Sequence, residues 1–164
     1  MIYAPVCRLE FEQTLPLSIL EAWDFFSRPE NLEKITPPDL GFEVTSPVPE
    51  RMYAGMIVNY RIRPLAGVAV SWTTEISHVD EPVYFVDEQR SGPYRLWHHQ
   101  HHFAEVNGGV RMTDLVHYQV GLGLPGYWLA GGLVRRRLDE IFHYRKQTML
   151  GLFGPDIIHH EHTS

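Results

Sequence analysis

The sequence predicts an α+β domain: a seven-stranded, strongly curved antiparallel sheet around one long C-terminal helix, with two short helices after the first strand. Three observations carry that prediction. Apolar residues alternate with period two in seven short runs. Six of those runs follow one another with only short turns between them, which gives an antiparallel rather than a parallel sheet. The last long segment instead repeats its apolar residues at helical spacing.

In order, Cys7 to Thr14 sets Cys7, Leu9 and Phe11 against Arg8, Glu10 and Glu12, a half-buried strand. Ser18 to Glu21 is a capping-box pattern, followed by Ile19, Leu20, Trp23 and Phe26 at helical spacing. Ser27 to Glu30 repeats the pattern with Pro29 in the first turn, and this second helix stops before Pro37-Pro38. Strands are predicted over Phe42–Val48, Met56–Arg63, Val68–Val79, Val83–Arg90, Tyr94–Val106 and Val110–Val120. Ser91-Gly92-Pro93 and Asn107-Gly108-Gly109 are turn signals. After a glycine-rich segment, a helix is predicted over Leu133–Phe153, with Leu138, Ile141, Phe142, Arg145, Met149 and Leu152 on one stripe. Gly154-Pro155 ends it. Residues 1–155 read as one domain and 156–164, with His159, His160 and His162, as a polar tail.

Composition narrows the function. A chain of 164 residues with 44% hydrophobic and 21% charged residues is an ordinary globular one, long enough to bury a core. Its net charge of -6 argues against a nucleic-acid partner. Cys7 is the single cysteine, so neither an intrachain disulfide nor a thiolate metal cluster forms. Leu115 to Val134 lacks acidic and basic residues but contains His117, Gln119, Pro125 and five glycines, so it is not read as a transmembrane helix. Met1 to Glu10 lacks the basic start and apolar run of a signal peptide. A cytoplasmic protein is expected; the composition leaves its oligomeric state open.

The most informative stretch is Phe85 to Phe103, two strands about a tight turn. Phe85, Asp87 and Gln89 share one face of the first, and Trp97, His99, His101 and Phe103 share one face of the second. Indole, two imidazoles and a phenyl ring on one face suit the wall of a mixed-polarity cavity. The competing reading makes the aromatics core and the histidines ordinary polar positions.

The order of elements resembles the helix-grip fold of the START / Bet v 1-like superfamily, which includes polyketide cyclases and lipid-transfer domains. It is similar in particular to a bacterial group of ligand-binding proteins within it. The resemblance rests on Leu32 with Thr36-Pro37-Pro38, Met52 with Gly55, and Tyr60-Arg61-Ile62-Arg63. It continues through Phe85-Val86-Asp87-Glu88-Gln89, Gly92-Pro93-Tyr94 and the Trp97, His99, His101, Phe103 alternation. Met112, Asp114, Val116 and Tyr118, then Ile141-Phe142 and Tyr144-Arg145, complete it. It implies a deep cavity between sheet and last helix that holds an apolar or amphipathic small molecule. The residues expected at that ligand are Arg61, Trp72, Asp87, Gln89, Trp97, His99, His101, Phe103, Asp114, Tyr118, Phe142 and Arg145.

Two kinds of chemistry fit the same residues. A cavity histidine, His99 or His101, beside Asp87 or Asp114 could act as general acid or base in a cyclase or dehydratase. The two imidazoles could also share a metal with one of those carboxylates. Hydrogen bonding within the sheet is the simpler account, and no metal or other cofactor is expected. Arg145 interrupts the apolar helix stripe: it either pairs with Asp87 or Asp114, or meets an anionic ligand group. Gly121 to Trp128 reads as a candidate lid, with Leu124, Tyr127 and Trp128 over an apolar entrance. Arg135-Arg136-Arg137 reads as a solvated helix face with scope for weak contact with a membrane surface.

Overall fold

The computed structural model describes residues 4–63, 68–121 and 123–155. The chain forms β1 (Cys7–Leu15), α1 (Ile19–Phe26), α2 (Pro29–Lys34), a short 3₁₀ turn (Pro38–Leu40) and β2 (Glu43–Val44). Then come β3 (Met56–Ile62), β4 (Val70–Asp80), β5 (Tyr84–Ser91), β6 (Tyr94–Val106), β7 (Gly109–Val120) and α3 (Gly123–Phe153). All seven strands make one antiparallel sheet in the order β1-β7-β6-β5-β4-β3-β2. The chain thus has the expected helix-grip architecture, with α3 lying against the concave face.

Local chemistry explains most boundaries. Ser18 caps α1 and Glu21 returns the bond to the Ser18 backbone N–H at 2.9 Å, satisfying donors that a helix start leaves open. Ser27 does not open a second capping box. It closes α1, its N–H donating to the Trp23 carbonyl at 2.9 Å, and Arg28 precedes α2 without a side-chain cap. The strand expected over Phe42–Val48 is cut to Glu43–Val44, because Pro47 and Pro49 have no N–H to give a ladder. Val68 lies outside β4 and is exposed.

The last helix differs most from expectation. It begins at Gly123, ten residues before Leu133. Glycines lower helix propensity by about 1 kcal/mol each, which conceals the first turns in the sequence. Packing of Ala130 and Val134 against the sheet compensates. Leu138, Phe142, Arg145 and Met149 are buried as the stripe predicts. Leu152 is half exposed, and Phe153 takes the inward place, edge-on to Phe25 at 5.0 Å. The drift is expected of a 3.6-residue period carried over several turns.

Two apolar clusters flank the concave face. One gathers Leu15, Trp23, Met56, Val58, Phe85, Phe103 and Met149; the other gathers Leu9, Val116, Tyr118, Val134, Leu138 and Phe142. No described helix is long and apolar enough to cross a membrane. The tail from residue 156 lies outside the described residues.

Candidate functional site

A cavity of about 330 Å³ lies between the sheet and α3, lined by both clusters. Its wall is mostly apolar, with Leu32 from α2 and Ile35 just after it, Tyr60 and Ile62 from β3, Ile76 from β4 and Val134, Leu138 and Ile141 from α3. Trp72, Tyr94 and Trp97 form an aromatic corner, the two indoles edge-on at 5.2 Å and Tyr94 at 5.0 Å from Trp97.

The polar end is built by three adjacent strands. Asp87 of β5 stands opposite His99 of β6, and His101 of β6 stands opposite Asp114 of β7. Neighbouring pairs on one pleated face come within side-chain reach. His99 Nε2 is 2.8 Å from Asp114 Oδ1 and its Nδ1 is 3.4 Å from Asp87 Oδ2. His101 Nε2 is 2.8 Å from Asp87 Oδ2, and its Nδ1 is 2.9 Å from Asp114 Oδ1 but out of line for a hydrogen bond. Each imidazole therefore touches both carboxylates. The rings lie 3.8 Å apart. Trp97 Nε1–H donates to Asp87 Oδ1 at 3.3 Å.

Charge is distributed unevenly among these groups. Burial would raise the Asp114 pKa, but its close contacts with His101 and His99 outweigh it and hold it well below the carboxylate range. Asp87 is also lowered: burial opposes this, and attraction to the His99 ring, the hydrogen bond and charge of His101 and the Trp97 N–H prevail. Burial pulls His99 below its ordinary value, helped by the neighbouring His101 charge. The same burial acts on His101, yet its contacts with both aspartates push it up. Arg145 is buried and lowered by desolvation, against the attraction of Asp114 and Asp87. Where His101 is protonated and His99 neutral, two carboxylates, one imidazolium and one guanidinium sum to zero. A sign follows: at pH 6.5, the ordinary histidine value, His101 is more than half protonated and His99 less than half. Nitrogen-15 NMR of the imidazoles in chelator-treated protein reads this directly, and two identical titrations would contradict it.

Arg145 makes neither expected pairing. No described carboxylate oxygen lies within 4.0 Å of its guanidinium, and its buried Nε has no hydrogen-bond partner. Its Cζ instead lies over the Phe142 ring, 4.9 Å from the centroid, a cation–π contact. Phe142 in turn stacks on Phe11 at 4.1 Å. Arg145 and Phe142 also border a second cavity of about 460 Å³ between β1, β7 and α3, lined by Asp114, Glu10, Glu12, His143 and Lys146.

Of the residues expected at a ligand, Trp72, Asp87, Trp97, His99, His101, Phe142 and Arg145 border the first cavity. The others sit elsewhere. Arg61 points from the outer face of β3 and pairs with Glu43 at 2.9 Å, because its neighbours Tyr60 and Ile62 take the inner face. Gln89 spends its amide on the hairpin turn, donating to the Tyr94 carbonyl at 2.6 Å and accepting from the Tyr94 N–H at 3.2 Å. A Cβ on Gly92 would come within 2.5 Å of that amide and push the Gln89 side chain off the turn. Phe103 is buried in the core against Trp23, Phe26 and Phe85. Tyr118 is buried with Leu9 and Val116. Asp114 lies behind the imidazoles, on the side of the second cavity.

The lid expected over Gly121–Trp128 is instead the start of α3 from Gly123 onward, and Trp128 faces solvent. The side chains of Leu124 and Tyr127 lie outside the described residues. Arg135, Arg136 and Arg137 each meet an acid: Asp139 at 3.3 Å, Glu140 at 3.0 Å and Asp39 at 2.6 Å. Tyr94 was not foreseen as a wall residue. Counting by twos from Trp97 puts it on the outer face, but a register shift between Tyr94 and Leu96 turns it inward.

No family model matches the sequence, and no curated protein matches it. Solved structures match over nearly the whole chain. Protein Ms6760 from Mycobacterium smegmatis shares 19% identity, covers 90% of this chain and 97% of its own, and superposes with a TM-score of 0.64. Protein CV1439 from Chromobacterium violaceum shares 10%, over 92% and 99%, with a TM-score of 0.68. The ginseng major latex-like protein 151 from Panax ginseng shares 14%, over 92% and 99%, with a TM-score of 0.66. At these identities the likeness establishes the fold: the chain has the helix-grip fold of Bet v 1-like proteins.

Proposed function

We propose that this protein binds a small hydrophobic or amphipathic molecule, of lipid, isoprenoid or aromatic polyketide-like character, in the cavity between sheet and α3. The observation that carries this is a largely apolar hollow of about 330 Å³ with one polar end, inside the size range of small-molecule sites. The apolar wall supplies affinity, and the Asp87, His99, His101 and Arg145 end orients the ligand. We place this activity in the cytoplasm. An apolar fluorescent dye tests the reading. Trp97→Ala removes a wall ring and is expected to weaken dye binding about tenfold. Arg136→Ala, on the exposed face of α3, is expected to change it less than about twofold. Equal losses would mean the indole lines no binding site. Native mass spectrometry of protein from its own host would identify the ligand.

The second reading is a cyclase or dehydratase. It is favoured by a cavity-lining His99 within 2.8 Å of Asp114 and kept neutral by burial, the state a general base requires. Binding alone comes first because each carboxylate at the polar end is already engaged by both imidazoles. On the enzyme reading, His99→Ala abolishes turnover of a polyketide-like substrate while dye binding persists; retained turnover would dismiss it.

A further inference from the structure

We propose that Asp87, His99 and His101 form a site for one divalent first-row transition-metal ion, open toward the cavity, with Asp114 holding the two imidazoles from behind. One ligand atom from each of the three residues lies within 4.8 Å of the other two. Ligands of a tetrahedral ion at about 2.0–2.2 Å stand roughly 3.4 Å from one another. His99 Nδ1 is already 3.4 Å from Asp87 Oδ2, and His101 Nε2 is 2.8 Å from the same oxygen. Small side-chain rotations would make room for the ion, and the proton on His101 Nε2 would leave to solvent as the metal binds.

The arrangement behind these atoms points the same way. A metal-bound histidine generally uses its other nitrogen on a carboxylate or carbonyl, which fixes tautomer and ring orientation. Here one oxygen of Asp114 is 2.8 Å from His99 Nε2 and 2.9 Å from His101 Nδ1. It is hydrogen-bonded to His99 and lies beside the unpartnered His101 Nδ1, so a small rotation of the His101 ring would let it hold both. The carboxylate of Asp87 is oriented in turn by the Trp97 indole N–H. Asp87, His99 and His101 border the cavity whereas Asp114 does not, so the free side of the ion would face a ligand.

Proton counting supplies an independent reason. A neutral imidazole has one N–H, yet His99 meets a carboxylate at each nitrogen. With its proton on Nε2 toward Asp114, the Nδ1 lone pair faces the Asp87 carboxylate. Two acceptors then oppose each other in a buried place, and a cation between them removes the conflict. Imidazole with carboxylate and no thiolate selects zinc, iron, cobalt or nickel over calcium or magnesium.

The test uses cobalt(II) alone on the chelator-treated full chain. His159, His160 and His162 are replaced by alanine so that the tail takes up no metal. One equivalent is expected to bind with visible d–d absorption, and zinc is expected to displace it. His99→Ala and Asp87→Asn should weaken uptake at least about a hundredfold. Asp114→Asn, which contacts no metal, should weaken it about 10- to 100-fold, with circular dichroism verifying the fold of each variant. No saturable uptake up to about 1 mM cobalt, or uptake indifferent to His99→Ala, overturns the proposal. Its failure is separate from that of the ligand reading: protein that binds dye but not cobalt keeps the cavity, and the reverse keeps the metal site.

Discussion

Asp114→Ala is expected to lower the unfolding free energy of the metal-free protein by about 3 kcal/mol, the lower end of the cost of breaking a buried charge pair. Asp114 is buried, and one of its oxygens meets His99 at 2.8 Å and His101 at 2.9 Å. Removing it leaves His101 and Arg145, two buried cations, facing Asp87 alone. His101 escapes part of the penalty by giving up its proton. Arg145 has no such exit, since a guanidinium stays charged in proteins. His99 also loses a partner for its Nε2, leaving a buried polar atom unmatched. Against this, Glu43→Ala breaks the Arg61–Glu43 pair, in which both side chains are more than half exposed, and should cost less than about 1 kcal/mol. Urea titration of both variants measures the contrast. If Asp114→Ala also cost under about 1 kcal/mol, the polar end would be solvated rather than internally balanced, and its assigned charges would fall.

The inner faces of β6 and β7 were legible because period-two alternation needs no knowledge of neighbours. Trp97, His99, His101 and Asp114 could be assigned to one side from spacing alone. What spacing does not contain is the offset between strands. Whether Asp87 stands opposite His99 depends on the geometry of the turn through Gly92 that joins β5 to β6. That offset separates a cluster in which each imidazole touches both carboxylates from two unrelated pairs. Tyr94 was hidden for a related reason, since one extra residue at a bulge inverts the parity of everything before it. Gln89 and Phe103 show the opposite limit. Each lies on the expected face, but a face is longer than a cavity, and its ends are claimed by the turn and by Trp23. On the last helix, Arg145 stood out as a charge on an apolar stripe. Its failure to reach an aspartate depends on how high α3 rides above the sheet, which periodicity does not encode.

Trp23→Ala is expected to cost about 3–5 kcal/mol, the range for emptying a buried aromatic site. Trp23 is 6% exposed and sits on α1 with its ring edge-on to Phe85 at 5.8 Å and to Phe103 at 6.0 Å. Both contacts have the edge-to-face form that adds to burial itself. The neighbours lie on β5 and β6, whose backbones are held by strand pairing, so their rings can tilt but close the gap only in part. A site that collapses only in part incurs both the transfer and a cavity cost. The effect should reach the polar end as well. Phe85 stacks on His101 at 4.1 Å and also borders the cavity. With Trp23 gone, Phe85 gains room to tilt away from that imidazole, so dye affinity should drop in the variant even where the protein remains folded. Trp128→Ala removes the same side chain from a position 81% exposed and should change stability by no more than about 0.5 kcal/mol. Denaturant titration followed by far-ultraviolet circular dichroism compares the two without depending on indole fluorescence. Equal costs would mean that α1 does not seal this end of the sheet, and that Phe85 and His101 are positioned without it.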